Sequence, residues 1–164
     1  MDQFCSCGHP FNDNWFGIHI VEINGKDKKG DRYDPSTNTI YWNPSEGLLT
    51  TNGTKLSAAT ALDHEGDHAD DNLTDPEGHL VRANTPDANY DNAEEARVIK
   101  GSEQTDALGM GEIKKGQVTR TDHNSLGTIK TKDPLSTNGE VTPASGTLLP
   151  TITITPKPKK KKDD

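Results

Sequence analysis

The chain has 164 residues, 29% hydrophobic and 5% aromatic, with a mean hydropathy of −0.88. That suffices for one domain with a small core and supplies no apolar run long enough to span a membrane. The formal net charge is −8, and five lysines against two aspartates after Pro156 leave residues 1–156 at −11, which speaks against nucleic-acid binding by the body of the protein.

Residues 1–14 are polar and read as an irregular N-terminus without the basic and apolar regions of a signal peptide. Cys5 and Cys7 lie too close for an ordinary disulfide with each other, and with His9 they do not make a structural zinc site. Trp15 to Ile23 is the strongest strand pattern. After a turn over Asn24–Asp31, the stretches Asp31–Asp34 and Asn38–Asn43 predict further strands, stopped by Pro44, and together an antiparallel sheet of two or three strands. Glu46 to Thr54 reads as a loop. Ser57 is an N-cap for a helix running to about Asp71, with Ala58, Ala59, Leu62, Gly66 and Ala69 on a small apolar side. Pro76, Gly78 and Pro86 suggest a long loop over residues 72–90. A second helix is expected from about Asn92 to Lys100, ended by Gly101 at C′, then a short helix over Glu103–Leu108. Gln117 to His123 is strand or extended loop. Residues 131–164 are rich in Thr, Pro, Ser, Gly and Lys and are expected to form a mostly disordered tail, although Thr151–Thr155 alternates like a strand. The fold class is thus α+β: one domain over residues 15–130, with a small antiparallel sheet packed on the first helix and on a second, glutamate-bearing helix.

The first helix carries the chemistry. His64-Glu65-x-x-His68 places two imidazoles one turn apart on a single face, where both reach one metal ion, with Glu65 beside them to act on a water. A catalytic zinc takes three protein ligands and keeps one position open. A histidine six residues after the second motif histidine would mark a metzincin, but that position is Thr74. Glu95 is the preferred third ligand because it shares a helical face with Val98 and Ile99, and an acid on an inward apolar face needs a partner. Glu94 and His79 remain alternatives. Eleven acids lie between Asp63 and Glu95 with Arg82 as the sole base, a field suited to a divalent cation and a basic substrate. Asp67, Asp70 and Asp71 are candidates to orient the imidazoles.

His64-Glu65-x-x-His68, then Glu94-Glu95-Ala96-Arg97-Val98, then Arg120-x-x-His123, resembles the gluzincin layout of clostridial neurotoxin light chains and of small bacterial effector metalloproteases. The N-terminal part is similar to metallopeptidase domains of Rhs-type polymorphic toxins. The resemblance covers roughly residues 15–125. It implies a zincin-like fold and zinc held by His64, His68 and Glu95, with Glu65 as general base. Glu94 and Arg97 would support the ligands, and Arg120 and His123 would stabilise the oxyanion, His123 standing where the family has Tyr. It further implies a protein or peptide substrate, a cognate immunity protein or secretion carrier, and export from a bacterial cytoplasm by a route that reads no signal peptide, to act in a target cell. Two other classes stay open: a non-catalytic metal-binding module, and an interaction protein in which the motif is chance.

Overall fold

The structure is a computed structural model describing residues 17–144. Its class is α+β. What the sequence predicts for residues 1–16, including Cys5, Cys7 and His9, and for 145–164, including the Thr151–Thr155 alternation, lies outside the described residues. Among those described, no helix is long and apolar enough to cross a membrane.

Three strands form the first sheet: β1 (His19–Glu22), β2 (Arg32–Asp34) and β3 (Thr39–Trp42), in the order β1-β3-β2. β2 and β3 make an antiparallel hairpin, but β1 runs parallel to β3, so the expected all-antiparallel sheet is corrected. The reason lies on the outer edge of β2, where the Tyr33 N–H donates to the Glu65 carboxylate at 2.7 Å. That edge is taken by the first helix, and β1 pairs with the other side of β3.

The region expected as a loop over Glu46–Thr54 contains β4 (Glu46–Thr50), which pairs with β5 (Lys55–Leu56) and with β8 (Ser125–Lys130). Gly47 gave the stretch its loop-like look. Its role is close approach: a Cβ there would lie 2.3 Å from the Leu56 carbonyl oxygen. The sheet is completed by β9 (Glu140–Pro143) on the far side of β8, and the Ala59 N–H donates to the Pro134 carbonyl at 2.9 Å. The expected tail therefore begins too early, because residues 131–144 are drawn in by backbone pairing that needs no apolar side chains.

Helix α1 (Ala58–Thr74) starts at Ser57, whose hydroxyl accepts from the Thr60 N–H, and is anchored by the Trp42 indole N–H on the Ala58 carbonyl at 2.7 Å. It continues to Thr74, past the expected end near Asp71. The prolines and glycines behind it had suggested a loop, yet α2 (Pro76–Ala83) forms there. Asp75 ends α1 and caps α2, accepting from the Gly78 N–H, and Pro76 sits in the first turn, where its missing donor costs nothing. A hairpin of two-residue strands, β6 (Pro86–Asp87) and β7 (Asp91–Asn92), leads to α3 (Ala93–Val98), capped by the Asn92 side chain on the Glu94 and Glu95 N–H groups.

Gly101 does not end this helix. A π-helical turn over Ile99–Glu103 carries the chain through it into α4 (Gln104–Gly109). Eight residues along an unbroken α-helix would rotate Glu103 about 80° away from Glu95. The extra residue of a π-turn removes one step of about 100°, which brings both acids to nearly the same side.

Apolar packing is divided among small clusters: Ile18, Ile40 and Ala69 between the first sheet and α1, Leu56, Ala107 and Ile113 near β5, and Tyr90, Ala96 and Ile99 around α3. Between them the interior is ionic, with Glu103 at 1% and Glu94 at 2% exposure beside His64, His68 and Arg120.

Candidate metal centre

α1 turns His64 and His68 inward, and α3 brings Glu95 to meet them. The His64 and His68 Nε2 atoms lie 3.2 Å apart. Glu95 bridges them, with Oε2 3.2 Å from His64 Nε2 and Oε1 3.3 Å from His68 Nε2. His123, on the connection between α4 and β8, places its Nε2 3.3 Å from Glu95 Oε2. His64, Glu95 and His123 can offer their ligand atoms to one ion.

Each of these imidazoles has its other nitrogen on a carboxylate: His64 Nδ1 on Glu103 at 3.0 Å, His68 Nδ1 on Glu94 at 3.2 Å and His123 Nδ1 on Asp91 at 2.7 Å. An ionised carboxylate only accepts, so each Nδ1 carries a proton, and the neutral, metal-binding form of each ring would aim an Nε2 lone pair inward. Three lone pairs and a carboxylate then converge with no donor among them. Such a cluster needs a cation or extra protons. Without an ion, protons fill the role. Burial opposes charge on His68, but hydrogen bonds to Glu94 and Glu95 outweigh it and raise its pKa to about 10. The His64 pKa is raised in the same way: burial is overcome by Glu103 and Glu95. Glu95 is held far below the usual carboxylate range, since its bonds to His64 and His68 outweigh burial. Metal binding would thus release protons.

The donors fit zinc. Zinc takes imidazole nitrogens and carboxylate oxygens as ligands, and His64, Glu95 and His123 offer such atoms within 4.8 Å of one another, with His68 Nε2 3.2 Å from His64 Nε2. Backing each ligand imidazole with a carboxylate is how metal sites fix tautomer and basicity.

Arginines neutralise the outer acids. Arg120 is buried and bonds Glu103 through Nε at 3.1 Å and through Nη2. Its Nη2 also lies 3.3 Å from His64 Nδ1, a proximity that comes from sharing Glu103, since that nitrogen already carries a proton. Arg120 therefore stands behind His64. Glu103 is held at a pKa of about 2, where His64 and Arg120 overcome its burial. Glu94 accepts from Arg97 at 2.6 Å and from Arg82 at 2.9 Å. Asp67 ties Arg97 and Ser102 to α1. Asp71 holds Arg82 and His79, so the inward imidazoles are oriented by Glu94 and Glu103 rather than by Asp67 or Asp71. Asp71, His79 and Glu94 also form a metal-sized group. Arg82 bridges two of its acids and supplies the cation there, and His79 faces the back of His68.

Glu65 lies on the side of α1 that faces β2. Its Oε2 accepts from Tyr33 N–H, while Oε1 has no hydrogen-bond partner among the described residues. It lines a cavity of about 370 Å³ with Asp31, Glu46, His64, Arg120 and His123. Glu103, Asp91 and the Tyr33 amide are the functional groups that sequence reasoning missed. The π-turn places Glu103, and only the tertiary fold brings Asp91 to His123. No protein-family model, curated protein or solved structure matches this chain.

Proposed function

We propose that the protein is a zinc-dependent endopeptidase with a zincin-like centre, in which His64, His68 and Glu95 hold the metal. The observation that carries this reading is the convergence of imidazole Nε2 atoms on Glu95 with every Nδ1 held by a carboxylate. Bound zinc would supply Lewis acidity, making a water easier to deprotonate and polarising a peptide carbonyl. Glu65 takes the proton of the attacking water on Oε1 while Tyr33 N–H steadies Oε2, then returns that proton to the leaving amine. Glu103 and Arg120 hold His64 in register, and Glu94 with Arg97 and Arg82 does the same for His68. Acids along the cavity, Asp31, Glu46 and Glu65, suit a protein or peptide substrate that is basic near the cleaved bond. The wider reading follows from the sequence resemblance: a bacterial effector or toxin accompanied by an immunity protein or secretion carrier.

The test is Glu65→Gln, which keeps both the helix and the Tyr33 contact. It should bind zinc like the wild type and lose hydrolysis by about 100-fold or more in a peptide-library assay. Full activity in that variant would sink the mechanism.

A second reading, a metal-binding module without catalysis, draws on His123, since four protein donors around one ion leave no open position. Stoichiometric zinc with no cleavage of any library peptide would favour it.

A further inference from the structure

We infer that His123 is a fourth, displaceable protein ligand, which closes the metal centre at rest and must leave for a substrate carbonyl to enter. The inference deepens the peptidase reading and rests on its metal site. Three features place His123 in the same class as His64 and His68. Its Nε2 is 3.3 Å from Glu95 Oε2, against 3.2 Å for His64 Nε2. Its Nδ1 is engaged by Asp91 at 2.7 Å, as those of His64 and His68 are engaged by Glu103 and Glu94. Its ligand atom lies within 4.8 Å of those of His64 and Glu95, a metal-sized group.

Other features make His123 the ligand able to leave. Its side chain is 31% exposed, whereas those of His64 and His68 are 5% and 8% exposed. His64 and His68 stand on a 17-residue helix, while His123 stands outside any helix or strand. Its tethers are the Asn89 carbonyl, which accepts the His123 N–H at 3.1 Å, and Asp91, whose own side chain is 72% exposed. His123 also borders the cavity that Glu65 lines, so a ring swinging outward would vacate a position on the side of the general base.

The experiment compares wild type with His123→Ala, each loaded with cobalt(II) as a spectroscopic stand-in for zinc and each confirmed folded by circular dichroism. Four protein donors predict an intense tetrahedral visible spectrum for the wild type and a weaker spectrum of higher coordination for the variant. Zinc affinity, measured by chelator competition, should fall on the order of 10- to 100-fold, no less than loss of an outer partner produces. A peptide hydroxamate titrated into both should bind the variant more tightly, because no ligand has to leave. In the wild type it should shift the cobalt spectrum toward higher coordination. An unchanged spectrum and zinc affinity in His123→Ala would overturn the ligand assignment. Equal or weaker hydroxamate binding by the variant would overturn displacement. Should the variant not fold, the hydroxamate titration of the wild type decides: a cobalt spectrum already of higher coordination before any addition refutes the closed centre. None of these readouts needs turnover, so a failure of the peptidase reading would show separately, as no cleavage by any form.

Discussion

The two flanks of the centre are built differently. Behind His64 and His68 every acid has an arginine: Glu103 has Arg120, and Glu94 has Arg82 and Arg97. Glu103, Glu94 and Arg120 are buried and Arg82 and Arg97 half-buried, with the two acids on the π-turn and α3. In front, Glu65, Asp31 and Glu46 face a cavity that His123, held by the exposed Asp91, also borders and that Glu103 and Arg120 reach from behind His64. The rear holds the ligands in fixed positions by satisfying each buried charge. The front keeps carboxylates less compensated, which suits a site that must accept a cation, a proton or a basic substrate.

The largest effect expected from breaking this contrast comes from the rear. Arg120→Ala leaves Glu103 as a buried charge, and loss of one partner of a buried pair costs about 3–5 kcal/mol. Urea unfolding of the zinc-free protein measures it. A change below about 1 kcal/mol would mean that a protonated His64 alone neutralises Glu103, and the rear would then be no better buttressed than the front.

A smaller effect is expected at the front wall. Burial raises the Asp31 carboxyl to about 7, and repulsion from Glu65 and Glu46 adds to it, against the pull of the Asn43 N–H. The folded state therefore binds a proton that the unfolded chain gives up at its ordinary value near 3.8. Its contribution to stability is full below pH 3.8, declines as pH rises from 3.8 to 7, and is constant above that. Asp31→Asn keeps the acceptor for Asn43 and removes the decline. The variant should gain on the wild type by about 1–2 kcal/mol between pH 4.5 and 8, after allowance for solvent screening. Denaturant midpoints across that range check it. Parallel pH curves would show an ionised Asp31 throughout. Zinc should narrow the difference, since a nearby cation offsets the repulsion from Glu65.

Which parts were readable follows from how locally each was encoded. The Ser57 cap and the i,i+4 spacing of His64 and His68 are properties of one helix, and both were visible in the chain. The helical face of Glu95 was visible for the same reason. Glu103 was hidden because its position depends on a π-turn through Gly101, which in sequence reads as a helix stop. α2 was hidden because Pro76 and Gly78 mark a helix start as readily as a loop. β9 was hidden because Glu140–Pro143 joins the sheet through backbone bonds to β8, with little apolar signal of its own. The direction of β1 depends on Glu65 occupying the far edge of β2, a contact between residues 32 apart.

The smallest expected stability change belongs to Asp91→Asn, and it sharpens the contrast most directly. Asp91 and Glu103 perform the same act, holding an imidazole Nδ1, at 2.7 Å and 3.0 Å. Their surroundings differ, since Asp91 is 72% exposed and Glu103 2% exposed. An exposed ion pair contributes about 0–1 kcal/mol. Asp91 also has a φ of 67°, in the left-handed region that asparagine tolerates as well as aspartate does. Folding stability of the variant should therefore stay within about 1 kcal/mol of the wild type by urea titration. The imidazole nevertheless loses a charged partner and becomes less basic, so zinc affinity should fall on the order of 10-fold in chelator competition. Affinity would then change where stability does not, whereas at Arg120 stability changes first. A loss of several kcal/mol in Asp91→Asn would instead show that the front is as firmly built as the rear, and that His123 is fixed in place.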